Sequence, residues 1–232
     1  MSARDFEILE KKVVRCAECP RLVRWREKIA REKTRRFMDW DYWGKPIPGF
    51  GDPNARLLLV GLAPAAHGGN RTGRMFTGDR SGDWLFRALC KAGFANQPES
   101  TARNDGLRLR DCYITATCRC APPKNKLLPK EIRNCRPFLL RELALLNKVS
   151  VVIGLGRIGH YTAFQSFRES GKSLLKKKPE FRHGAEAMLN ERVTIIASFH
   201  PSQQNTFTGR LTEPMFDAVF SRAAALVKNS KP

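Results

Sequence analysis

Four short apolar runs, each followed by a loop and then by helical spacing, constrain this chain more than any other feature. The first is Leu57-Leu58-Leu59-Val60, continuous rather than alternating, as expected of a strand covered on both faces. Cys112 to Thr117, Val149 to Ile153 and Val193 to Ser198 repeat the theme. Strands alternating with helices predict an α/β fold, a parallel sheet with helices on both faces. Ligands of such sheets bind at the carboxyl ends of the strands. That directs attention to the loop after Val60, where small and glycine-rich residues surround Pro64, His67, Asn70, Phe76 and Asp79.

Between these strands, helices are expected over 4–15, 21–36, 81–94, from Pro129, from about Ile158 and over 213–227. Pro137 should kink or restart the fourth of these, because a proline inside a helix costs about 3 kcal/mol. Residues 37–53 read as an ordered aromatic loop, 95–110 as a polar surface loop, 172–184 as a basic loop and 203–211 as a polar loop. The 232 residues suit a single domain, with a basic helical segment at about 1–36.

The chain carries 42 Lys and Arg against 22 Asp and Glu, a net charge of +20. An excess of this size, grouped at Arg21–Arg36, Arg119–Arg136 and Lys176–Lys178, is the footprint of a polyanion binder. No run approaches the roughly 20 apolar residues needed to cross a bilayer, and the N-terminus lacks a signal-peptide core. A cytoplasmic protein with no membrane partner is expected.

Seven cysteines in a reducing compartment point to metal ligation or burial rather than disulfides. Cys16-Ala17-Glu18-Cys19, with Cys120 (or Cys118) and Cys135, could form one site for a [4Fe–4S] cluster or for Zn; spacing does not separate these. Cys90 and Cys112 read as buried thiols. Gly154-Leu155-Gly156-Arg157-Ile158-Gly159 matches a dinucleotide fingerprint, but the region about 20 residues on is Leu174 to Lys178, with no acid to hold a ribose. Tight strand-to-helix packing is the better use of these glycines. Asp79, just before a helix, reads either as an N-cap or as a carboxylate that orients a water. His200 ends the fourth strand, and Phe76 suits either the core or a stacking role.

The motifs Gly61-Leu62-Ala63-Pro64-Ala65, Thr72 to Asp79 (TGRMFTGD) and His200-Pro201-Ser202 resemble those of the uracil-DNA glycosylase superfamily. The cysteine set is similar to that of its iron–sulfur members. Ala63, the long HGGNRTGRMFTGD and the NTFTGRLT of Asn205 to Thr212 are similar to the type-5 branch. The resemblance covers the chain from Cys16 to the last helix. It implies a three-layer α/β/α sandwich around a four-stranded parallel sheet and a [4Fe–4S] cluster on Cys16, Cys19, Cys120 and Cys135. It also implies a monomeric hydrolase acting on DNA that contains uracil or other deaminated bases such as hypoxanthine. Asp79 would orient the water and His200 would bind the base oxygen. Phe76 would stack on the base, and Gly61, Leu62, Ala63, Pro64 and Ala65 would line the pocket. Ser202, Gln203, Asn205 and Arg210 would contact DNA and fill the gap left by the flipped nucleotide. Where related branches carry a base-reading Asn, this chain has Ala116; Asn125 is the nearby substitute. The competing expectation is a non-catalytic DNA-binding protein with a structural metal site.

Overall fold

A computed structural model describes residues 3–230. In chain order the elements are α1 (Ala3–Val14), α2 (Pro20–Glu32), β1 (Phe50–Gly51), β2 (Leu57–Gly61), α3 (Gly69–Thr72), α4 (Arg80–Lys91), β3 (Cys112–Ala116), α5 (Pro129–Leu145), β4 (Val151–Leu155), α6 (Gly156–Glu169), β5 (Glu186–Met188), β6 (Thr194–Ser198), α7 (Gln203–Phe207) and α8 (Glu213–Asn229). Single 3-10 turns occur at Arg35–Phe37 and Pro123–Asn125. None of the described helices is long and apolar enough to cross a membrane.

The sheet order is β1-β3-β2-β4-β6-β5. The four central strands are parallel, as expected. The expected four-stranded sheet is nevertheless incomplete, because β1 and β5 close its two edges in antiparallel pairing. Neither edge could be read in advance. β1 is only two residues long, and β5 is largely exposed, so neither carries an apolar run.

Alternation along β2 builds the two halves of the core. Leu57 and Leu59 pack with Leu85, Phe86 and Leu89 of α4 and with Phe216 and Phe220 of α8. Leu58 and Val60 point the other way, against Leu139 and Leu143 of α5 and Phe164 and Phe167 of α6. The three layers follow directly: each face of the sheet is apolar and each is covered. Leu9 and Val13 of α1 then pack outside Leu145.

The fingerprint glycines do pack tightly. A Cβ on Gly154 would lie 2.3 Å from the His160 Cα, and one on Gly159 would lie 2.4 Å from the Val60 carbonyl oxygen. The chain around them differs from expectation in detail. α6 begins at Gly156 rather than Ile158, α2 stops at Glu32 rather than running to residue 36, and the expected loop at 203–211 contains α7. Pro137 does not break α5, which runs unbroken past it. It lies on the exposed side, so water can serve the carbonyl that loses its donor.

The largest departure lies in residues 95–110. They are an anchor rather than a free surface loop. Ser100 and Leu107 are buried, and Asp105 meets the buried Arg74 at 2.7 Å. Arg74 also donates to the Thr77 hydroxyl at 2.9 Å and to the Ser100 hydroxyl at 2.9 Å. The Gly78 amide donates to the Ser100 carbonyl at 2.8 Å. Burial would raise the Asp105 carboxyl; the Arg74 guanidinium and the amides of Leu107, Thr101 and Ala102 outweigh it and hold the group at about 2. Removing one partner of a buried pair typically costs about 3–5 kcal/mol, because the other charge is left uncompensated. Asp105→Ala should therefore lose about 3 kcal/mol or more in urea unfolding, whereas Glu99→Ala, in the same segment but exposed, should change stability by less than about 0.5 kcal/mol.

Candidate active site and cysteine cleft

The loop after β2 folds back on itself through the buried helix α3 and returns to begin α4. Two close backbone approaches fix its course. A Cβ on Gly61 would fall 2.8 Å from the Phe76 ring, and one on Gly68 would fall 1.9 Å from Asp79 Oδ2. Glycine at 61 lets the Phe76 ring lie over the end of β2. Glycine at 68 lets backbone press on the Asp79 carboxylate. Phe76 itself is buried with φ +52°, a left-handed conformation that is strained for a bulky residue.

Asp79 caps α4, its Oδ1 accepting from the Gly82 amide at 3.0 Å. The capping reading is correct, and it leaves Oδ2 against Gly68. Burial drives the Asp79 carboxyl up to about 6, with the Gly82 and Ser81 amides and the Arg71 charge pulling against it. The group is thus poised to change charge near neutrality.

His200 follows β6 and stacks on Phe76, with ring centroids 5.8 Å apart and planes inclined by 29°. The two rings are already within the range of aromatic pairing. Gly156, at φ +78°, leaves room for the His200 Cβ, and the Asn205 amide holds the His200 carbonyl at 2.8 Å. Burial lowers the His200 imidazole to about 4, so it is neutral at physiological pH.

The Gly61 to Ala65 stretch forms the exit of β2, with Leu62, Ala63 and Ala65 partly exposed and Gly61 and Pro64 buried. Ser202 is the residue before α7, and Gln203 and Arg210 are exposed. Asn205 faces inward on the His200 carbonyl. Asn125 stands apart. It is exposed with φ +55°, and among the described residues no hydrogen bond or ring contact joins it to Phe76, Asp79 or His200. Ala116 is buried at the end of β3.

Sequence reading missed two side chains here. Arg71 donates Nε to the His67 carbonyl at 2.8 Å and Nη2 to the Gly78 carbonyl at 3.0 Å. It thereby ties together the two backbone segments that flank Asp79. Phe207 of α7 is 66% exposed, and the Arg80 guanidinium sits over its ring at 4.5 Å. An aromatic within an otherwise polar loop was the available signal.

Cys16, Cys19, Cys120 and Cys135 line one cleft with Leu22, Arg26, Arg119 and Asn134. A buried pair aligns its walls: Arg119 meets Glu142 at 2.6 Å and also bonds the Thr115 hydroxyl, joining the end of β3 to α5. N–H groups point at three of the sulfurs. Arg26 donates to Cys120 Sγ at 3.0 Å, the Arg119 amide to Cys135 Sγ at 3.3 Å, and Asn134 to Cys19 Sγ at 3.6 Å. Such donors favour a thiolate. Burial, offset in part by Arg26, pushes the Cys120 thiol up to about 12, and burial raises Cys16 and Cys19. Among the described residues no group of three or more His, Cys, Asp or Glu is arranged to hold a single metal ion. Cys118 points to the Glu131 carbonyl at 3.5 Å and does not line the cleft. Cys112 is buried within β3 and Cys90 half-buried on α4.

The sequence profile of the Uracil DNA glycosylase superfamily matches residues 48–224. The chain is 48% identical over 222 residues to the type-5 uracil-DNA glycosylase of Thermus thermophilus, covering 96% of this chain and 98% of that protein. It is 49% identical over 212 residues to the type-5 enzyme of Mycobacterium tuberculosis, covering 91% and 78%. Identity to the type-4 uracil-DNA glycosylase of Archaeoglobus fulgidus falls to 28% over 157 residues, covering 67% and 70%. With the superfamily profile spanning the sheet and its strand-end loops, and with far higher identity to the type-5 relatives than to the type-4 one, this chain belongs to the type-5 branch of the uracil-DNA glycosylase superfamily.

Proposed function

We propose that this protein is a DNA-repair hydrolase that flips uracil, and other deaminated bases such as hypoxanthine, out of DNA and cleaves the N-glycosidic bond, leaving an abasic site. The observation that carries the reading is the stacking of Phe76 on His200 beside the end of β2, with Asp79 at the start of α4 in the same loop as Phe76, on a chain of net charge +20. Lysines and arginines hold the phosphates, which helps offset the few kcal/mol needed to unstack and extrude a base. Phe207 is placed to enter the vacated stack as an apolar wedge.

In the pocket the glycosidic bond stretches and the sugar becomes oxocarbenium-like. Negative charge moves onto the departing base. His200, neutral and held by Asn205 and Gly156, donates an N–H to the base oxygen where that charge accumulates. Asp79, ionised, stabilises the cationic sugar and orients the water that attacks its anomeric carbon. The base leaves as the anion and is then protonated.

His200→Ala should lower the single-turnover rate about 10²- to 10³-fold, the usual cost of losing one donor to a developing anion. Asp79→Asn should lower it by about 10²-fold or more. The pH dependence separates their roles. Asp79 must be charged, so log rate should rise with unit slope up to pH about 6 and then level; Asp79→Asn should abolish this limb. His200 is neutral above about 4 and contributes nothing to it. An unchanged limb in Asp79→Asn would remove Asp79 from its role. Absence of abasic product from uracil-containing duplex would favour a non-catalytic DNA-binding protein.

We also propose that the cleft holds a [4Fe–4S] cluster on Cys16, Cys19, Cys120 and Cys135. The four thiols that line one cleft support this reading, with Zn as the runner-up. Cys16 after α1, Cys19 before α2, Cys120 and Cys135 of α5 would hold it, and bound there it would supply a structural crosslink that presents the basic face of α2, not a step in cleavage. The purified protein should be brown, with iron and sulfide in equal amounts. Cys120→Ala should lose both, and Cys118→Ala should keep them. A colourless protein containing zinc would decide for the other metal.

A further inference from the structure

The segment between α2 and β1 lies outside the superfamily match, which starts at residue 48, and it carries an aromatic group that the pocket does not use. The Arg71 guanidinium carbon lies 3.9 Å from the Phe37 ring centroid and 4.0 Å from that of Trp40. The two rings meet edge to face at 6.4 Å. The same guanidinium is bonded to the carbonyls of His67 and Gly78, next to the residues that hold Asp79. The segment is locked down beyond Trp40 as well, since the Trp43 amide bonds the Arg71 carbonyl and the Gly44 amide bonds the Asn70 carbonyl. Trp40 is therefore braced from beneath while 37% of its surface stays in solvent, beside Met38 at 54%.

A rigid, exposed tryptophan suits a flat apolar partner. Its setting says which one. Arg35, Arg36 and Lys45 are exposed nearby, so a phosphate chain is drawn to this region. The immediate neighbours of Trp40, however, are Asp39 and Asp41, both exposed. Two carboxylates repel a phosphate lying on the ring itself and leave its face to a base.

We propose that Trp40, braced by Arg71 and Phe37, is a stacking platform for an unpaired base of the lesion strand a few nucleotides from the excised one, and that it biases the enzyme toward single-stranded or locally opened DNA. This rests on the glycosylase reading of the neighbouring pocket. A paired base is already stacked on both sides and gains little from the ring, whereas an unpaired base gains a stacking partner.

The test uses Asp79→Asn protein, so that binding is read without cleavage. Uracil-containing strands carry the fluorescent base 2-aminopurine at successive positions on either side of the uracil. Emission should be quenched at one or two positions near the uracil, and adding Trp40→Ala should remove that quench. Trp40→Ala should weaken single-strand binding about five- to tenfold, in keeping with the loss of one base–aromatic stack, while Trp40→Phe stays within about twofold. Duplex binding should weaken by less than about twofold, the stack being already satisfied there. In the parent enzyme, Trp40→Ala should raise KM for single strands far more than it lowers kcat. Quenching that does not depend on Trp40, or equal weakening on single strand and duplex, overturns the platform. If the parent enzyme releases no uracil, the glycosylase reading fails by itself, and the quench and affinity results still decide whether Trp40 stacks on a base.

Discussion

The site depends on backbone surfaces that touch with no side chain between them. Gly159 brings α6 onto the Val60 carbonyl, Gly61 admits the Phe76 ring over the end of β2, and Gly68 abuts the Asp79 carboxylate. Each contact is closer than any Cβ permits. Together they draw the end of β2, the start of α6 and the loop between β2 and α4 against one another. The raised carboxyl of Asp79 and the lowered imidazole of His200 follow from this crowding, since burial disfavours whichever form is charged. The same packing that brings these segments together therefore shifts both ionisations.

Two buried ion pairs hold the crowded region in place. Arg74–Asp105 fixes the loop that carries Phe76 and Asp79, and Arg119–Glu142 fixes the loop that carries Cys120. Buried pairs are weak stabilisers against an apolar alternative but costly to break. Both lie under loops rather than in the centre of the core, which suits a role in placing loops. Arg71 extends the arrangement outward. Its guanidinium joins the loop backbone on one side to the Phe37 and Trp40 rings on the other, linking the loop that carries Asp79 to an aromatic surface.

Much of this was legible in the residues. Unbroken apolar runs marked β2, β3, β4 and β6, because strands buried on both faces need no alternation. The strand-end motifs placed Phe76, Asp79 and His200, and the four cysteines expected to share a site do line one cleft. What escaped notice has a physical explanation. β1 and β5 are short edge strands that exist only through pairing with neighbours. Residues 95–110 look like polar surface because Asp105 is charged, and its partner Arg74 is 31 residues away in sequence. Pro137 looked like a break because a sequence does not say which side of a helix faces water.

The sequence by itself determined the four central strands and the helices between them, the basic character of the chain and the candidate site residues, since those follow from hydrophobic pattern, charge and local motif. Only the tertiary structure decided which of Cys118 and Cys120 faces the cleft, that Asp79 is both cap and buried acid, that Asn125 stands in solvent, and that Trp40 is braced by Arg71. These depend on distances between segments far apart in the chain, and such distances are set when the layers pack.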